Sequence, residues 1–139
     1  MPYPEEMVAP MRAELTTIGV HELRTADDVD GFFRRREGTA LLLINSVCGC
    51  AAGSARPGVR MALEHDLRPE HAATVFAGQD LEATEQARAL LGDLPPSSPS
   101  IALLKDGELV HFMPRHLIEG ATAEAVARDL IDGFEMMNG

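Results

Sequence analysis

Cys48 and Cys50 flank a single glycine and are the only cysteines in the chain. Thiols so placed can exchange disulfides, hold half of a metal site, or sit buried as small apolar side chains. A four-ligand zinc site needs further donors. There is no third cysteine, and His21, His65, His71, His111 and His116 fall at no ligand spacing, so no metal is expected. Disulfide exchange needs a thiolate. With a pKa of about 8.5 only about 3% of a free cysteine is ionised at pH 7, and a fall of roughly two units ionises most of it. The triplet follows the apolar run 40–44 and opens onto Ala51-Ala52-Gly53-Ser54-Ala55, a strand end passing into a helix start. Amides and the dipole at a helix start favour a thiolate, which makes Cys48 the candidate nucleophile and Cys50 the candidate resolving thiol.

The one-residue spacing has its own consequence. Residues two apart in an extended chain lie about 7 Å apart, at or beyond the roughly 4.4–6.8 Å between the Cα atoms of a disulfide, so the backbone must bend. Gly49 permits that bend. A small strained ring is readily reduced, so the dithiol is expected to oxidise reluctantly, and a potential as low as that of a structural disulfide would count against it.

The elements that must position the pair can be read from periodicity. Met7, Met11, Leu15 and Ile18 suggest a short amphipathic helix interrupted by Pro10. Residues 19–23 suggest a short strand. Thr25 is a candidate N-cap for a helix with Asp27 and Asp28 in its first turn, Val29, Phe32 and Phe33 on one face, and Arg34 to Arg36 at its end. The run 39–45 reads as a strand covered on both faces. Beyond the dithiol, 52–65 predicts a helix kinked at Pro57-Gly58, 71–77 a second covered strand, and 81–91 a helix ending at Gly92. Pro95-Pro96-Ser97-Ser98-Pro99 is a loop, and 100–105 and 108–113 around Asp106-Gly107 form the clearest hairpin. Ala123, Val126, Ala127, Leu130, Ile131, Phe134 and Met137 mark a final helix. The order is that of an α/β fold with a parallel first half and an antiparallel hairpin.

The chain of 139 residues suits one domain, 1–139, that needs no disulfide for stability. A formal net charge of -10 argues against nucleic acid or an anionic membrane as partner. An acidic start without an apolar signal region, and no apolar stretch of membrane-spanning length, make a cytoplasmic protein the expectation. In that compartment an adjacent cysteine pair points to catalysis or metal binding rather than a static bridge. Arg56 and Arg60 follow the dithiol closely enough to hold a thiolate or an anionic thiol, with helix solvation the alternative for Arg60.

The stretch Asn45-Ser46-Val47-Cys48-Gly49-Cys50-Ala51-Ala52-Gly53-Ser54-Ala55-Arg56-Pro57-Gly58 resembles the signature of the bacilliredoxins. Residues 11–19 and 114–120 are similar to the same family, so the resemblance spans most of the chain. It implies a thioredoxin-like three-layer fold, a mixed central sheet with helices on both faces and an N-terminal helical extension at 1–18. It also implies a cis bond between Ser98 and Pro99, facing the cysteines. The implied activity is removal of bacillithiol from S-bacillithiolated client proteins. Cys48 attacks the mixed disulfide, and Cys50 or free bacillithiol, the thiol co-substrate, restores it. Asn45 and Ser46 would shape the pocket, and Arg56 would meet the malate carboxylates. The competing readings are a general protein disulfide isomerase or reductase, a soft-metal module binding Cu(I) through both thiolates, and an adaptor that needs neither cysteine. The sequence is silent on oligomeric state.

Overall fold

A computed structural model describes residues 3–34, 37–92, 94 and 96–138. The expected helix end at Arg35 and Arg36, and Pro95 of the proline loop, lie outside them. In chain order the elements are α1 (Glu5–Thr16), β1 (His21–Glu22), α2 (Ala26–Arg34), β2 (Thr39–Asn45), a π-helical turn (Ala51–Ala55), α3 (Arg56–Ala62), β3 (His71–Phe76) and α4 (Leu81–Leu91). The hairpin strands β4 (Ser100–Lys105) and β5 (Glu108–Met113), a short α5 (Arg115–Ile118) and α6 (Ala123–Asn138) follow.

One five-stranded sheet runs in the order β1-β3-β2-β4-β5. β1, β3 and β2 are parallel, and β4 and β5 are antiparallel to their neighbours. β2 lies at the centre and every one of its residues is buried. Because side chains alternate along a strand, Leu41 and Leu43 enter one apolar cluster and Leu42 and Ile44 the other. On the first face pack Leu15 of α1, Val59 and Ala62 of α3, and Val126, Leu130 and Phe134 of α6. On the second pack Val29 of α2 with Ala83 and Ala87 of α4. The continuous apolar run that hides strand periodicity in the sequence is the result of this two-sided cover.

Local signals set the boundaries. The Thr25 hydroxyl accepts the Asp28 amide at 3.1 Å while the Asp28 carboxylate accepts the Thr25 amide at 3.3 Å, a reciprocal cap that starts α2. Asp106 and Gly107 have φ of 52° and 84°, the left-handed pair that a two-residue hairpin turn demands. Gly92 ends α4 with φ 95°.

The N-terminal helix differs from expectation in its face. Val8, Arg12 and Leu15 are the buried residues of α1, whereas Met7 and Ile18 are 46% and 38% exposed. A buried arginine breaks the apolar pattern, and its ion pairs with Glu5, Glu22 and Asp80 explain why it is inside. Nor does Pro10 interrupt the helix, which runs through it to Thr16. The expected kink near Pro57 is a π-helical turn instead. The Arg56 amide reaches back to the Ala51 carbonyl, immediately before a proline that cannot donate.

α3 is held close to α6. A Cβ on Gly58 would lie 2.6 Å from Val126 Cγ1 and 3.1 Å from the Ala123 carbonyl oxygen. Gly58→Ala is therefore expected to lower stability by about 1–3 kcal/mol despite the better helix propensity of alanine. Val126→Ala, itself destabilising, should show favourable coupling to it in a double-mutant cycle by chemical denaturation. Additive losses would show that α3 and α6 do not approach this closely.

Candidate functional site

The sheet register brings the site together at one end. Ile44 faces Ser100 across β2 and β4, and Ile101 faces Met113 across β4 and β5. Continuing each count by the residues beyond the strands lines up Asn45, Pro99 and Arg115 at the sheet end from which the cysteine loop leaves. The Ser98-Pro99 bond there is cis.

Cys48 sits in the bend after β2, and helical backbone begins at Gly49. Its carbonyl accepts the amides of Ala51 and Ala52 at 3.0 and 3.2 Å, so Cys48 holds the N-cap position of that helix. The two sulfurs are 2.8 Å apart, and both cysteines are half-buried. Neighbours two apart in helical backbone lie about 5.4 Å apart at Cα, within the disulfide range, so the helix start supplies the bend. Gly49 needs no left-handed φ for this, and a Cβ there would meet nothing within 4 Å, which leaves the sulfurs open on that side.

The two thiols are driven apart in acidity. Burial pushes the Cys48 pKa up, but the Cys50 thiol, the Ser46 hydroxyl and the amides of Ala51 and Cys50 all hydrogen-bond its thiolate, and the balance brings it down to about 7. Cys50 is pushed up by its burial and by the proton it shares with Cys48 and the charge there, with Arg115 pulling the other way. The Ser46 hydroxyl also accepts the Cys48 amide at 3.3 Å, which holds it against the cysteine backbone.

Asn45 and Ser46, both buried, are held by Arg56. One Arg56 nitrogen, Nη1, donates to Asn45 Oδ1 and to the Ser46 carbonyl, both at 2.9 Å, and Nε pairs with Glu14 at 3.1 Å. The Arg56 side chain is 2% exposed. It does not reach solvent, and so it braces the loop instead of meeting an incoming carboxylate as the resemblance suggested. Arg60 is exposed on α3. An exposed cation beside the dithiol is Arg115, a residue that the sequence pattern does not single out. Its Nη1 donates to the Ser98 carbonyl at 3.2 Å, its amide donates to Ser97 Oγ at 3.3 Å, and its Nε pairs with Glu119 at 3.2 Å. The missing signal is a bulge. The β4–β5 register shifts between Leu103 and Leu104, and a hairpin counted without that shift places Pro114, not Arg115, opposite Pro99.

The site is a surface feature. A cavity of about 280 Å³ lies elsewhere, between His21, Phe32 and His71, and neither cysteine lines it. Among the described residues no group of three or more His, Cys, Asp or Glu side chains is placed to hold a metal, and no helix is long and apolar enough to cross a membrane.

A family model described as disulphide isomerase matches residues 3–137. The chain is 57% identical over 137 residues to a bacilliredoxin of Salinibacter ruber, covering 97% of this chain and 81% of that one. It is 56% identical to a bacilliredoxin of Cytophaga hutchinsonii, covering 92% and 94%, and 50% identical to one of Bacillus cereus, covering 96% and 93%. In fold it is similar to the thioredoxin of Fasciola hepatica, with a TM-score of 0.56 at 21% identity, covering 81% of this chain and 97% of that one. Reduced Schistosoma mansoni thioredoxin gives 0.55 at 17%, covering 83% and 97%.

Two outcomes check the geometry. The alkylation rate of Cys48 should follow its thiolate, with a midpoint near pH 7 and a tenfold fall per unit below it. In Cys50→Ala the lost hydrogen bond should move that midpoint upward, and an unmoved midpoint would show that Cys50 does not donate to Cys48. Separately, Arg56→Met should cost about 2–4 kcal/mol in chemical denaturation, because two buried hydrogen bonds to a charge are lost. Glu14→Gln, at a carboxylate that is 45% exposed, should cost less than about 1 kcal/mol.

Proposed function

The chain belongs to the bacilliredoxin family of thiol-disulfide oxidoreductases, and from that premise we propose that it removes bacillithiol from S-bacillithiolated proteins, with Cys48 as nucleophile and Cys50 as resolving thiol. The observation that carries the assignment of roles is the pair of sulfurs 2.8 Å apart with opposite shifts in acidity.

The Cys48 thiolate attacks the bacillithiol sulfur of the mixed disulfide. A new disulfide forms between Cys48 and bacillithiol, the old one breaks, and the client leaves as a thiolate that takes a proton from water. At this point Cys48 no longer carries a charge. Burial still disfavours the Cys50 thiolate, but the hydrogen bond to Cys48 and the repulsion from its charge are gone while the Arg115 charge remains, so Cys50 ionises more readily after the first step. It then attacks Cys48, releasing bacillithiol as a thiolate and leaving the Cys48–Cys50 disulfide. Alternatively, free bacillithiol attacks the bound bacillithiol sulfur, yielding bacillithiol disulfide and reduced Cys48. The open surface at Gly49 suits a disulfide that is still part of a folded client. A cytoplasmic location, one domain spanning 1–139, and action without a metal belong to the same proposal.

The description of the matching family favours one second reading, a general disulfide isomerase that needs no bacillithiol. Intact-mass analysis after mixing with a bacillithiolated client separates the two. Cys50→Ala is expected to gain one bacillithiol as the client loses it, and Cys48→Ala to gain none. Equal transfer of glutathione, or refolding of a scrambled disulfide protein without bacillithiol, would move the assignment to the isomerase.

A further inference from the structure

The dithiol is the working part of a chain with a net charge of -10, yet its rim carries an exposed arginine. Arg115 stands at the sheet end shared by Asn45 and Pro99, by the register of β2, β4 and β5. Two contacts to the loop before Pro99 fix its position, the amide on Ser97 Oγ and Nη1 on the Ser98 carbonyl. Its Nε is shared with Glu119 in an i,i+4 pair whose partners are 45% and 62% exposed. Such a pair is weak and gives way to a better acceptor. Nη2 has no hydrogen-bond partner among the described residues. The backbone amide and Nη1 thus tie Arg115 to the loop, while the exposed guanidinium keeps further donors available.

We propose that Arg115 is a specificity-determining residue that reads a carboxylate on the small thiol entering the site, so that mixed disulfides of anionic thiols are taken in preference to neutral ones. The inference rests on the thiol-transfer reading above and names the residue and the chemical group through which the small thiol is recognised. Arg56, the other arginine near the loop, is 2% exposed and cannot take this role without breaking its bonds to Asn45 and Ser46. A guanidinium is suited to it, because a planar fork of donors matches a carboxylate in a way that a point charge does not. The charge also reaches both sulfurs, as its favouring of the Cys50 thiolate shows, so its effect on thiolate chemistry must be separated from its effect on binding.

The test uses the full chain and one single-cysteine client protein, loaded in turn with bacillithiol, glutathione and 2-mercaptoethanol. Transfer rate constants are measured by intact mass for wild type, Arg115→Gln and Arg115→Lys, each divided by the Cys48 thiolate fraction from its own alkylation profile. In Arg115→Gln the corrected rate should fall about fivefold more on the two anionic disulfides than on the neutral one, the discrimination expected of one solvent-exposed charge contact. Arg115→Lys should recover part of it, and added salt should shrink the wild-type preference. An equal loss on all three disulfides, or a loss that vanishes on correction for thiolate, would overturn the proposal and leave Arg115 as a tuner of the sulfurs. Failure of the bacillithiol reading shows elsewhere. It is wild type treating bacillithiol and glutathione alike, an outcome compatible with the predicted gap between anionic and neutral disulfides and thus with a role for Arg115 as a carboxylate reader.

Discussion

A buried guanidinium holds the loop on which the sulfurs depend. Arg56 joins α1 through Glu14, the end of β2 through Asn45, and the cysteine loop through the Ser46 carbonyl. Taking a cation out of water is costly, and those three acceptors are what offset the cost. The π-helical turn explains how an arginine comes to point inward at this place. A widened turn absorbs one extra residue, which rotates every later side chain by about 100° around the helix axis. Arg56 is the first residue after that turn, while Val59 and Ala62 continue on the buried face. The brace then fixes Ser46, whose hydroxyl lies against the Cys48 amide and favours the Cys48 thiolate. Fold, loop and sulfur acidity are in this way linked through one side chain.

What the sequence made legible divides along physical lines. Features set by local chemistry were readable. The hairpin strands were expected at the residues where they occur, because Asp106-Gly107 demands one turn type. The Thr25 cap, the ending of α4 at Gly92 and the two-sided cover of β2 are of the same kind. Features set by contacts between distant residues were not. Arg12 occupies a core position of α1 because Asp80, 68 residues away, meets it there, and no periodicity scan anticipates that. Arg56, expected to meet an anionic thiol, is buried for a related reason, since its partner Glu14 lies 42 residues away in sequence. The short helix α5, four residues long, carries too little periodic pattern to announce itself. Arg115 was hidden by a single bulge, which shifts the hairpin by one residue and with it every side chain beyond. The cysteines, by contrast, stood out by type and spacing alone.

The spacing itself follows from the N-cap role of Cys48. An N-cap side chain accepts from the amides of the second and third helical residues, the task that serine or aspartate usually performs. Here the acceptor is a thiolate, and the donors are the amides of Cys50 and Ala51. A second cysteine at the second helical position thus brings its own amide to the first sulfur, and in this structure it brings its thiol as well, to 2.8 Å. In the more widely spaced Cys-x-x-Cys arrangement the second thiol sits at the third helical position, one step farther along the turn. With one intervening residue, the same side chain that would stabilise a Cys48 thiolate by a hydrogen bond is already in contact with the sulfur it attacks in the proposed mechanism. Cys50 cannot do both at once, because a proton donor is not a nucleophile. In the proposed mechanism the charge on Cys48 decides which it does, and that charge disappears when Cys48 acquires a disulfide partner.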